Sequence, residues 1–122
     1  MENFINWFEI PATDFNRAVN FYKAILAVEI KEMEMFGTKM GLLPSDGKNL
    51  SGAIVQGDDY TPSSNGPLLY LNGGKDLQVM LGRIEANNGK VIVPKTQISP
   101  EMGYFAIFID CEGNKLALQS MN

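Results

Sequence analysis

Apolar and polar positions change period several times along the chain, and each change marks an element. In residues 3–11, Phe4, Phe8 and Ile10 fall on one side at period two and Trp7 and Glu9 on the other. That alternation predicts a strand, closed by Pro11, which has no N–H for a ladder. From Phe15 to Leu26 the apolar residues Ala18, Phe21, Tyr22 and Ile25 recur at steps of three and four, which predicts a helix with one buried stripe. Thr13 or Asp14 supplies its N-cap oxygen. Residues 28–36 alternate again with one slip at 31–32, read as a strand with a bulge. Strands are also predicted over 38–43 and 50–56, with a Pro44–Gly47 turn between them.

Glycine, proline and serine crowd residues 57–67, and the plan then repeats. Residues 68–72 predict a strand. A helix over about 76–87 follows, carried by Leu77, Met80, Leu81 and Ile84 and ended by Asn88-Gly89 as a left-handed cap. Strands over 90–93 (closed by Pro94), 104–109 and 115–120 complete the half. The helix-opening Asp14 matches Asp76, and Ser45-Asp46-Gly47-Lys48 matches Cys111-Glu112-Gly113-Asn114. Each half reads β-α-β-β-β. One such unit cannot bury both its helix face and its sheet face, so two are expected to join into a curved mixed sheet with helices outside and a cup inside. The expectation is one α+β domain over 1–122, with module one at about 1–57, a linker at about 58–66 and module two at about 67–122.

Composition narrows the function. The chain has 122 residues, 45% hydrophobic and 20% charged, enough for one core without staples. Its net charge of −4 and lack of a basic stripe argue against a nucleic-acid partner. No apolar run approaches the roughly 20 residues that span a bilayer, so no membrane partner is expected. The single cysteine, Cys111, and the absence of a leader pattern point to the cytoplasm. Cys111 stands among acidic neighbours, which disfavour a thiolate. The chain contains no histidine, so no triad or dyad built on one is possible.

Three segments carry a resemblance. Trp7 to Tyr22, with its Arg17-Ala18-x-x-Phe21-Tyr22 ending, Asn88 to Ile92, and Gly103 to Leu116, with Asp110-x-Glu112-Gly113-Asn114, together resemble the vicinal-oxygen-chelate superfamily of glyoxalases, bleomycin-resistance proteins and dioxygenases. The resemblance implies a glyoxalase-like fold of two βαβββ modules around a cup-shaped cavity. It also implies one divalent ion in that cup, held by His, Glu or Gln from strands of both modules. Here the corresponding positions hold Trp7, a residue near Ser51 to Ala53, Leu68 or Leu69, and Ala117. An indole and a methyl do not coordinate such an ion. The sequence therefore predicts no metal site and no cofactor, with Asp58, Asp59 and Glu112 read as acidic turns in solvent.

The residues in phase with those positions are the candidate ligand wall: Trp7, Glu9, Gln56, Leu68, Tyr70, Ala117 and Gln119. Trp7 either plugs the cup or stacks on a ligand. Glu9 is a candidate general base if buried and a solvated charge if at the mouth. The seven methionines fill core gaps or a dimer seam. Three functions compete. The first is a metal-free binder of a small organic molecule, a homodimer like the drug-sequestering branch. The second is a divalent-metal-dependent lyase or dioxygenase. The third is a structural or regulatory dimer with a plugged cavity.

Overall fold

The computed structural model describes residues 4–47 and 51–122. Lys48 and Leu50, which entered the turn and strand expectations above, lie outside the described residues. The element order is β1 (Trp7–Pro11), α1 (Phe15–Leu26), β2 (Lys31–Met35), β3 (Thr38–Leu42), β4 (Ser51–Gln56), β5 (Tyr70–Asn72), α2 (Leu77–Ala86), β6 (Lys90–Ser99), β7 (Gly103–Ile109) and β8 (Lys115–Ser120).

The two modules repeat strand for strand. One four-stranded sheet runs β1-β4-β3-β2 and the other β5-β8-β7-β6. In each, the first strand lies parallel to the last and the other pairs are antiparallel. The α+β class and the βαβββ halves are as the sequence predicts. Among the described residues the sheets share no ladder, however: each is a separate four-stranded unit rather than half of one hydrogen-bonded sheet.

The modules are held together through their helices and one turn. The buried residues of α1 are Phe15, Ala18, Val19, Phe21, Tyr22 and Ile25, its predicted stripe extended by two. They join Leu77, Met80, Leu81 and Ile84 of α2 and Ala106, Phe108, Leu116 and Leu118 of the second sheet in one core. Phe21 meets Tyr22 edge-on, with ring centroids 5.0 Å apart. Asp14 and Asp76 cap the helices as expected, accepting from Arg17 N and Gln78 N. Asn88 adopts the left-handed conformation that ends α2.

The turn at Asp110–Asn114 is the clasp. Asp110 is 4% exposed. Its Oδ1 accepts from the backbone N–H groups of Glu112 and Asn114, and its Oδ2 accepts from Asn114 Nδ2 and from Tyr22 Oη at 2.7 Å. Asn114 Nδ2 also donates to Pro11 O at the end of β1. Glu112 Oε1 accepts from Thr13 N and Asp14 N, while its Oε2 accepts from Arg17. A carboxylate at the first turn of α1 meets unpaired N–H groups and the positive end of the helix dipole. Its side chain is wholly covered, at 0% exposure. The expectation of a solvated acidic turn at Glu112 is thus corrected: the helix start desolvates it. Gly113, with φ of 96°, makes the reversal that brings these groups together.

Several boundaries differ from the sequence reading: β1 begins at Trp7, leaving Phe4 90% exposed ahead of it, β5 begins at Tyr70, and three further differences have physical reasons. β6 runs through Pro94 to Ser99. It is an edge strand with register shifts on both sides of Pro94, so the missing N–H takes no partner from the ladder. The slip at 31–32 is no bulge: β2 starts at Lys31, and Ile30 before it turns into the core at 6% exposure. A two-residue turn, Phe36-Gly37, joins β2 to β3 with both φ angles positive, the geometry that suits the twist of a hairpin. Among the described residues, no helix is long and apolar enough to cross a membrane.

Replacing Tyr22 with Phe removes one buried hydrogen bond to Asp110 and leaves the ring in place. We expect a loss of about 1–2 kcal/mol in urea unfolding, with a lower midpoint and an unchanged slope.

Candidate functional site

The sheet faces turned away from the helices follow from the strand registers. Trp7, Glu9 and Pro11 lie opposite Ser51, Ala53 and Val55 in the first sheet. Tyr70 and Asn72 lie opposite Ala117 and Gln119 in the second, with Phe105 and Ile107 completing that face from β7. The alternation of β1 is as predicted: Phe8 and Ile10 pack toward the core, and Trp7 and Glu9 face the other way.

The second sheet bears the larger concavity, a groove of about 1150 Å³. Tyr70, Asn72, Phe105 and Gln119 form its floor, and Ile98, Met102 and Met121 rim it. Tyr70, Ile98, Met102 and Met121 are each roughly half exposed, so apolar surface is held open to solvent there. Lys75 is the single charged side chain lining the groove. Gly73 follows β5 directly. Its N–H donates to Gln119 O at 2.8 Å, and an added Cβ would come within 2.5 Å of Leu77 Cδ1 and 3.1 Å of that same oxygen, so a larger residue would require both neighbours to shift.

Two polar side chains are fixed in the groove by backbone partners. Asn72 Oδ1 accepts from Gly74 N at 2.9 Å, and Gln119 Nε2 donates to Met102 O at 2.6 Å. A smaller hollow of about 280 Å³ lies between β1, the linker and the start of β8, lined by Glu9, Thr61, Leu69, Asn114 and Lys115 among others.

The predicted wall is therefore divided. Tyr70 and Gln119 share the large groove, and Glu9 lines the smaller hollow. Trp7 is 46% exposed and lines neither of these two cavities. Its Nε1 donates to Glu9 Oε2 at 3.4 Å, and Tyr60 Oη from the linker donates to Glu9 Oε1 at 2.9 Å. Both Glu9 oxygens are thereby engaged. The hydrogen bond to Glu9 and its negative charge raise the pKa of the Tyr60 phenol. Gln56 faces the start of α1, where its Oε1 accepts from Phe15 N. Leu68 is half-buried ahead of β5. Ala117 is fully buried, a methyl shielded between Tyr70 and Ile107 on its own face. The sequence reading passed over Asn72's neighbours Phe105, Met102, Met121 and Lys75. Phe105 alternates in phase with Ile107 and could have been found; Met102 and Lys75 sit in turns and Met121 follows β8, where no periodicity gives a direction.

The resemblance implies ion ligands near these strands, and their register gives the neighbours of those positions. Trp7 pairs with Ser51, and Tyr70 pairs with Ala117. Ser51 Oγ is bonded to the carbonyls of Leu43 and Pro44. An indole, an engaged hydroxyl, a phenol and a methyl do not make a donor set for such an ion. Among the described residues, no three or more His, Cys, Asp or Glu side chains stand together as a ligand group.

No protein-family model matches the chain. A glyoxylase-like domain-containing protein of Didymella fabae is 27% identical over 124 aligned residues, covering 93% of this chain and 91% of the relative. A V278E mutant of glyoxalase I from Zea mays superposes with a TM-score of 0.76 at 14% identity, over 95% of this chain. The chain spans only 45% of that enzyme. A glyoxalase/bleomycin resistance protein from Albidiferax ferrireducens T118 superposes with a TM-score of 0.66 at 17% identity, over 96% of this chain and 98% of the other. The chain has the glyoxalase/bleomycin-resistance fold. The vicinal-oxygen-chelate resemblance carried by Trp7–Tyr22 and Gly103–Leu116 thus holds for the architecture. Within this glyoxalase-like domain, the Asp110-x-Glu112-Gly113-Asn114 motif is the clasp between modules and faces no groove floor.

The lone thiol takes no part in the groove. Burial, then the charges of Asp110 and Glu112, push the Cys111 thiol up to about 12 from 9.0. Its pKa is raised in the folded state, so its contribution to stability is intact below the unfolded value. That contribution is lost as pH rises from 9.0 toward about 12. We expect slow alkylation of native Cys111 at pH about 8, fast alkylation in urea, and a thermal midpoint that falls above pH about 9 less steeply in Cys111→Ala.

Proposed function

We propose that this glyoxalase-like domain binds a small, flat, largely apolar organic molecule in the groove of its second sheet, without a metal ion. The observation that carries this reading is the convergence of Tyr70, Phe105, Ile98, Met102 and Met121 on one concavity, with two oriented amides among them. Apolar walls with a few placed polar groups are what a small-molecule pocket requires. Flexible methionines at the rim adapt to flat ligands of different outline. The names of the structural neighbours accord with small-molecule work on this fold, but fold does not set function. A metal-dependent lyase or dioxygenase finds no support in the residues at the ligand positions. Nor do the side chains lining the groove include a carboxylate or a histidine to move a proton.

A thermal-shift panel of planar aromatic compounds at millimolar concentration tests this. A ligand at 100 times its Kd stabilises by about 2.7 kcal/mol, a rise of several degrees for a domain of this size. Tyr70→Ala should weaken any hit about tenfold. If no planar compound moves the midpoint, the reading is wrong.

A homodimer is part of the proposal. Trp7, Met33 and Met35 are exposed on the first sheet's outer face, an apolar surface that a second copy would cover. Light scattering should give twice the 13.5 kDa chain mass, and Met33→Glu with Met35→Glu should return it to the single-chain value.

A further inference from the structure

The two amides in the groove have their orientation decided. An Asn or Gln side chain normally leaves its oxygen and nitrogen interchangeable until its partners are known. Here each partner can act in one sense only. The Gly74 N–H can only donate, so the Asn72 atom facing it is the oxygen, and the Asn72 NH₂ is left for the groove. The Met102 carbonyl can only accept, so the Gln119 atom facing it is the nitrogen. The second contact of Gln119 Nε2, with Met121 Sδ at 3.8 Å, occupies the same nitrogen. Among the described residues, Gln119 Oε1 has no protein donor.

Asn72 and Gln119 are register partners on adjacent parallel strands, and both line the groove. Their backbones are therefore about 4.8 Å apart with side chains on one face. The groove presents a donor, Asn72 Nδ2–H, beside an acceptor, Gln119 Oε1. Tyr70 lies two residues back along β5, and Phe105 is the register partner of Gln119 on β7, so aromatic rings flank the pair.

Resting on the groove reading above, we propose that the ligand is a planar aromatic lactam or a like ring with a –C(=O)–NH– edge. Its carbonyl accepts from Asn72 Nδ2, its N–H donates to Gln119 Oε1, and its rings lie against Tyr70 and Phe105. A neutral edge is favoured over a carboxylate. A carboxylate would gain from Asn72 and from Lys75 at the rim, but it would set a second acceptor against Gln119 Oε1, and two acceptors form no hydrogen bond. A site built for a donor–acceptor edge rejects analogues that lack it.

Four probes titrated calorimetrically into the intact chain decide the matter: carbostyril, its N-methyl derivative, naphthalene and a naphthoate. Carbostyril should bind at least tenfold tighter than the N-methyl lactam, naphthalene or the naphthoate. Asn72→Asp keeps an oxygen for Gly74 N and replaces the groove-facing donor with an acceptor. That variant should lose about tenfold or more for carbostyril while naphthalene changes less than twofold. Equal binding of carbostyril and its N-methyl derivative overturns the lactam inference and leaves the groove reading standing. Tighter binding of the naphthoate overturns it in favour of recognition by Lys75. An equal loss for carbostyril and naphthalene in Asn72→Asp overturns it as a structural effect. Binding of none of the four overturns the groove reading and this inference with it.

Discussion

The contact on which the rest depends is the buried carboxylate of Asp110 with the groups it gathers. Burial of a charge is costly unless hydrogen bonds replace water. Asp110 receives bonds from two backbone N–H groups, one amide and the Tyr22 hydroxyl. Burial, the charge of Asp110 and the bond to it all hold the Tyr22 phenol protonated, well above the usual tyrosine range. The turn so built presents Glu112 to the start of α1 and Asn114 to the end of β1. Two sheets with no shared ladder are thereby set in a fixed relation through one helix and five residues.

That division of labour leaves the sheet faces turned away from the helices outside the clasp. The motif most visible in the sequence is committed to assembly, and the potential for binding falls to residues of ordinary type. In the second sheet, Tyr70, Asn72, Phe105 and Gln119 line a groove. Its floor is rigid ladder, and its rim is made of methionines and an isoleucine. In the first sheet the equivalent face carries Trp7 and Glu9, joined to each other and to Tyr60 of the linker. The pseudo-repeat is a repeat of backbone, and the chemistry of its two faces has diverged.

Periodicity and punctuation in the sequence determined much. The two helices, their caps, the eight strands and the repeated halves follow from spacing alone, because amphipathic period and turn chemistry are local. So does the parity of β1, which sets Trp7 and Glu9 apart from Phe8 and Ile10. The lack of histidine and the identity of Trp7 and Ala117 were equally plain, since they require only counting and alignment of motifs. Tertiary structure decided what local pattern does not encode. Pro94 stays within β6 because that strand has a free edge, a property of sheet order. Glu112 is buried because α1 descends on it from 95 or more residues away in sequence. The seven candidate wall residues separate into groove (Tyr70, Gln119), hollow (Glu9), helix start (Gln56) and core (Ala117), with Trp7 exposed on its sheet and Leu68 half-buried ahead of β5, because phase fixes a face but not how modules are placed. The orientations of Asn72 and Gln119, on which ligand recognition turns, exist only once Gly74 N–H and Met102 O are in place.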